Sequence, residues 1–200
     1  MRSAPRFAAF LLALALPAAA LAQSPDGEAG QPGLTPLEER ADIVALMAEY
    51  AGEWVGRGTS RMNFDDPMEA ASCRMTAVFD VEADTLTNEG RCANTQRAID
   101  IDGDLTITEE GDLTGGFFSR FEVAELLSSS GEAYEEGFIV EARYLAEIQG
   151  DTQEVDARVS VGRPDQTGGG DVAFSMVIAI ENPETGEFVS FSEIVFNRRD

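Results

Sequence analysis

Residues 73–92 read CRMTAVFDVEADTLTNEGRC, and the reading of this stretch decides the fold. Cys73, Met75, Ala77 and Phe79 alternate with Arg74, Thr76 and Asp80. That period of two sends successive side chains to opposite faces of a strand. A turn centred on Glu82 and Ala83 folds the stretch back on itself. Cys73 then faces Cys92, Met75 faces Gly90, Ala77 faces Asn88 and Phe79 faces Leu86 on one side, with Arg74 opposite Arg91 on the other. These are the 2 cysteines of the chain, and in an oxidising compartment a structural Cys73–Cys92 bridge is the default. Closing a loop of about 20 residues, it contributes ~3 kcal/mol in the chain-entropy model. A redox-active pair is the rival, but there is no C-x-x-C and no Lys or His to stabilise a thiolate.

The same alternation recurs to both sides. Val155, Ala157, Val159 and Val161 alternate with polar partners, and Val172, Phe174, Met176, Ile178 and Ile180 form another inward row. Breaks fall at Asp65-Asp66-Pro67, Glu110-Gly111-Asp112, Gly168-Gly169-Gly170 and Asn182 to Gly186. Short alternating strands punctuated in this way predict an all-β chain, an antiparallel barrel or sandwich of about eight to ten strands, occupying residues 51–200. Of the two, the glycines of the first strand favour a single antiparallel β-barrel. Ile99, Ile101, Leu105 and Ile107 read as two strands joined by a polar turn. The acidic run Asp100 to Asp104 lacks the EF-hand spacing, with Leu105 where Gly is required and Gly111 where Glu is required.

Ahead of the strands, Thr35-Pro36-Leu37-Glu38 is a capping box with Pro at the first helical position. It predicts an N-terminal helix over 35–50, packed through Leu37, Ala41, Val44, Ala45 and Ala48. A second box, Ser119-Arg120-Phe121-Glu122, allows a short helix near 120–128, although an ordinary connection is the favoured alternative. Residues 23–34 are rich in Gly, Pro, Ser and acid and read as a disordered leader. Residues 1–22 have a basic start at Arg2 and Arg6, an apolar run from Phe7 to Leu16, and Ala20-Leu21-Ala22 at the end. This is the order of a cleavable signal peptide, and the run is too short for a membrane span. The expected location is periplasmic or secreted, in a Gram-negative bacterium.

Composition excludes much chemistry. The chain has 37 acidic residues and 14 basic ones, a net charge of −23, which opposes binding to nucleic acid or anionic lipid. Every basic residue is arginine and there is no histidine. Ser-His and Cys-His dyads, imidazole metal ligands, Schiff bases and P-loop lysines are therefore all ruled out. No catalytic residue, metal site or cofactor is assigned, and a carboxylate hydrolase ranks third among the readings.

The first strand begins Gly52-Glu53-Trp54-Val55-Gly56-Arg57-Gly58. With Trp54 inward, Gly56, Gly58, Ser60 and Met62 share its face. Glycines inside a strand call for sharp coiling or the close approach of another group. Here the chain resembles the calycin superfamily of lipocalin-like barrels. Gly52-x-Trp54 opens the first strand after a helical entry, and Arg198 or Arg199 ends the last strand, placed to stack on the Trp. The resemblance implies a barrel plugged by Trp54 at its closed end. Single-disulfide periplasmic protease inhibitors of that barrel world are similar in size and cysteine pattern. Small haem-binding barrels share Trp54, Gly56 and Gly58 but require a His that this chain lacks.

The leading functional expectation is a non-enzymatic barrel binding a small apolar or amphipathic ligand, lined by Trp54, Met62, Met75, Phe79, Asn88, Phe174 and Met176. The alternative is a module that contacts an envelope or secreted protein, as a protease inhibitor or an escort. Its contact surface would be the leader or an anion-binding face made by Arg57, Arg61, Arg74 and Arg91.

Overall fold

A computed structural model of the chain describes residues 34–95, 97–117, 123–148, 151–166 and 171–199. Residues 1–33, which hold the expected signal peptide and most of the expected leader, lie outside the described residues. One helix, α1 (Arg40–Glu49), precedes β1 (Gly52–Ser60), β2 (Glu69–Asp80), β3 (Thr85–Ala93), β4 (Ala98–Ile107), β5 (Leu113–Gly115) and β6 (Val123–Tyr134). β7 (Gly137–Ile148), β8 (Asp151–Gly162), β9 (Asp165–Gln166), β10 (Val172–Glu181) and β11 (Phe188–Arg198) follow. Each strand from β1 to β7 pairs antiparallel with the next; β8 then pairs with β10, β10 with β11, and β11 with β1. The result is a closed ten-strand antiparallel barrel, to which β9 adds a short pairing on β10.

The hairpin of residues 73–92 has the register its alternation predicts: Cys73 opposite Cys92, Arg74 opposite Arg91, Met75 opposite Gly90, Ala77 opposite Asn88 and Phe79 opposite Leu86. Its turn is held by the Asp80 carboxylate, which accepts from the backbone N–H groups of Glu82 and Ala83, and the Cys73–Cys92 disulfide is formed. The glycines of β1 answer to close approach. A Cβ on Gly56 would sit 2.6 Å from Ile194 Cγ2, and one on Gly58 would fall 1.9 Å from the carbonyl oxygen of Glu193. Bare backbone lets β11 lie against the first strand and the wall close.

Several expectations are corrected. The segment at Thr35 is not a helix cap: Leu37 N–H donates to the Ala133 carbonyl and Glu135 N–H to the Thr35 carbonyl, so this stretch pads the β6–β7 hairpin. The helix begins only at Arg40, and Glu39 before it makes no side-chain cap. Its inward stripe is Ile43, Leu46 and Met47, followed by Tyr50, while Ala41, Ala45 and Ala48 are exposed. The reason is volume. Apolar residues occur on several sides of this helix, and the largest of them take the buried face because they remove more area from water. The short helix near 120–128 gives way to a strand from Val123 onward, while the box at 119–122 lies outside the described residues. Residues 98–107 form one strand rather than two, with Gly103 buried so that the carbonyls of Gly116 and Phe117 can cross it. β1 ends at Ser60, which leaves Met62 in the following loop rather than on the inner face. Among the described residues, no helix is long and apolar enough to cross a membrane.

Candidate functional site

The barrel offers three places where function could reside: its interior, its mouth and its outer wall. The interior is packed. Trp54, 1% exposed, donates from Nε1 to the Tyr50 carbonyl at 2.8 Å. The Arg198 guanidinium lies 4.8 Å from the Trp54 ring centroid and donates to the carbonyls of Glu49 at 2.7 Å and Ala51 at 3.3 Å. Of the two candidate arginines it is thus Arg198 that stacks; Arg199 makes an ion pair with Glu53 at 3.8 Å. Phe174 meets Trp54 edge to face at 4.7 Å and stacks on Phe196 at 5.0 Å.

Tyr50 is the hub of this end. Its ring contacts Phe117, Phe138 and Phe174 edge to face, and its hydroxyl donates to the Gly162 carbonyl at 3.0 Å. Burial, assisted by nearby Glu49, pushes its phenol well above the ordinary value of 10.0. Neither Tyr50 nor Phe117 was legible as a core residue. Tyr50 stands where the helical period ends, and Phe117 follows two glycines outside any alternating run.

Of the residues expected to line a ligand, Met75, Phe174 and Met176 are buried in the continuous core with Trp54, and Phe79 packs half-buried against it. Asn88 does face inward, at 0% exposure. Its Nδ2 donates to the Phe117 carbonyl, while its Oδ1 is buried with no hydrogen-bond partner among the described residues.

At the mouth, opposite α1, a cleft of about 30 Å³ lies among Ser60, Cys73, Cys92, Met176, Ile178 and Ile194. That is room for about one or two water molecules. Nearby, Ala142, Tyr144 and Ala157 form a second small cluster with Ile180, and burial raises the Tyr144 phenol.

The outer wall of β1–β3 carries the third candidate. Val55, Arg74, Arg91 and Asp100 form one outward row across four strands, and Arg57 with Ser72 begins the next row toward the mouth. A groove of about 330 Å³ runs beside Val55, Arg74 and Arg91, bordered by Glu53, Thr76, Glu89 and Arg199. The strand register brings Arg57, Arg74 and Arg91 together as expected, but not Arg61. Arg61 turns back on its own loop, donating to the Phe64 carbonyl at 3.1 Å and to Met68 Sδ at 3.2 Å. Among the described residues, no group of three or more Cys, Asp or Glu is placed to hold a metal ion. Compared with known protein families and with curated proteins, the chain matches neither a family nor any single protein.

Proposed function

We propose that this chain is an exported, non-enzymatic binding barrel that recognises its partner with its outer wall rather than with its interior. The observation that carries the reading is the packed core. The residues that would line an apolar cavity instead pack against one another, and the cleft at the mouth holds about 30 Å³. Pockets for small molecules occupy ~300–1,000 Å³ and enclose most of the ligand surface. Export is supported by the signal-like first 22 residues and by the disulfide, which suits a periplasmic or secreted setting. The absence of His and Lys from the sequence supports a non-enzymatic role. The Gly52-x-Trp54 start, with Arg198 over the Trp54 ring, supports a calycin-like reading of the barrel.

One observation favours the second reading, a small-ligand barrel. The buried Asn88 Oδ1 accepts no hydrogen bond from any described residue, and a ligand that displaced the Phe117 segment could donate to it. Native mass spectrometry of protein purified gently from a periplasm separates the two, together with titration by an environment-sensitive apolar fluorophore. The outer-wall reading predicts a cleaved chain at apo mass, two protons lighter for the bridge, and no saturable fluorophore binding. A stoichiometric co-purifying small molecule, or saturable uptake of the fluorophore, overturns it in favour of the filled-on-demand barrel.

A further inference from the structure

Among the described residues, most arginines are engaged. Arg40 pairs with Asp84, Arg163 with Glu49 and Arg199 with Glu53. In the β7–β8 wall Arg143 stands opposite Asp156 and bonds it at 2.8 Å, and Arg158 stands opposite Glu141 at 2.6 Å. There the strand register puts a carboxylate across from each arginine. In the β2–β3 wall it sets Arg74 directly across from Arg91, with Val55 on the other side of Arg74 and Asp100 on the other side of Arg91. Neither of these two arginines, nor Arg57, makes a hydrogen bond, ion pair or ring contact with any described residue. Like charges directly opposite on adjacent strands destabilise a sheet. A chain with 37 carboxylates has ample means to avoid that cost.

We propose that the outer wall of β1–β3 is a docking face for an acidic peptide segment of a partner protein, gripped by Arg57, Arg74 and Arg91. The proposal rests on the outer-wall reading and names the chemistry of the partner. Arginine forks match carboxylates in two-point geometry. Val55, opposite Arg74, and Val195, opposite Arg57 and 49% exposed, supply apolar contact beside the arginines. The groove of about 330 Å³ leaves space beside Val55, Arg74 and Arg91. The positive area is small and fenced, with Asp100 beyond Arg91 and Glu53 and Glu89 along the next row. That boundary selects a segment with a few carboxylates. An extended polyanion such as a bilayer or a nucleic acid would meet the net charge of −23 around the site.

The test uses fluorescence anisotropy with a labelled peptide alternating glutamate and valine, its glutamine counterpart, and the mature protein at low ionic strength. The glutamate peptide should bind saturably and the glutamine peptide should not. The R74Q/R91Q variant should bind about tenfold more weakly or worse while melting no lower than the parent, and Arg158→Gln should leave binding unchanged. Equal binding by the R57Q/R74Q/R91Q variant, or no binding by the parent, sinks the docking face. Capture of phosphatidylglycerol vesicles without peptide binding sinks it too and points to a membrane contact. The apolar fluorophore titration run on the same protein keeps the two failures apart. If neither peptide nor fluorophore binds, the face falls and the outer-wall reading stands; if the fluorophore enters, that reading falls as well.

Discussion

Tyr50 closes the barrel by three means at once: its carbonyl holds Trp54, its hydroxyl holds Gly162, and its ring wedges between three phenylalanines. Because burial raises its phenol in the folded protein, the ionised form is tolerated far better in the unfolded chain. The stability this group provides is therefore complete below about pH 10, the unfolded value, and falls as pH rises above it. Tyr50→Phe should cost about 1 kcal/mol at neutral pH, where the Gly162 carbonyl loses its donor. It should also flatten the alkaline decline in melting temperature, though not abolish it, since burial raises Tyr144 as well. Thermal melts of both proteins at pH 8 and pH 11 check this; parallel declines would show that Tyr50 does not titrate as its burial requires. The wall arginines give a second contrast. Arg74→Gln relieves an unpaired like-charge contact and should raise the melting temperature by about 1 °C. Arg158→Gln breaks its pair with Glu141 and leaves the Phe188 ring, so it should lower it. These residues differ in legibility for a physical reason. Arg74, Arg91 and Asn88 could be placed from strand parity, because a hairpin register assigns every side chain to a face. Tyr50 and Phe117 belong to no alternating run, and only tertiary packing places them.

Among the elements, the β2–β3 hairpin was the most legible, while α1 was legible as a helix but not in its start or its buried face. The hairpin joins alternation, a turn and two cysteines in one register, and each of these constrains the others. The helix offers apolar residues on more than one side, so its pattern defines a helix without defining which stripe packs. The capping box was overridden because the Thr35 and Leu37 backbone groups find partners on the β6–β7 hairpin, a tertiary fact absent from local sequence. The disulfide should act on the unfolded chain more than on the barrel. It spans a sequence separation of 19, and in the chain-entropy model its removal costs about 3 kcal/mol. A Cys73→Ala/Cys92→Ala double variant should thus keep the barrel's circular dichroism at 20 °C and melt about 6–12 °C lower. An unchanged melting temperature would mean that the unfolded chain already holds the hairpin closed.

At the scale of the whole molecule, alternation predicted a barrel or a sandwich, the glycines beside Trp54 favoured the barrel, and a filled interior followed from neither. An inward row such as Phe174, Met176 and Ile178 is written in the same way whether it lines a cavity or packs one. The difference lies in summed side-chain volume and barrel shear, which emerge only when all ten strands close. Charge, by contrast, is a whole-molecule property read directly from composition. At −23 the folded chain concentrates repulsion that the unfolded chain spreads over a larger volume. Raising NaCl from ~10 mM to ~0.5 M shortens the screening length from ~30 Å to a few ångströms. Folding should gain from this, and the melting temperature should rise by several degrees despite the weakening of exposed pairs such as Arg199–Glu53. Docking of an acidic segment on Arg57, Arg74 and Arg91 depends on attraction and should weaken over the same range. The two salt responses therefore carry opposite signs, and both can be followed in one titration by melting and by anisotropy. A melting temperature that falls with salt would mean that the ion pairs outweigh the net charge. Peptide binding that persists unchanged at high salt would assign the contact to Val55 and Val195 rather than to the arginines.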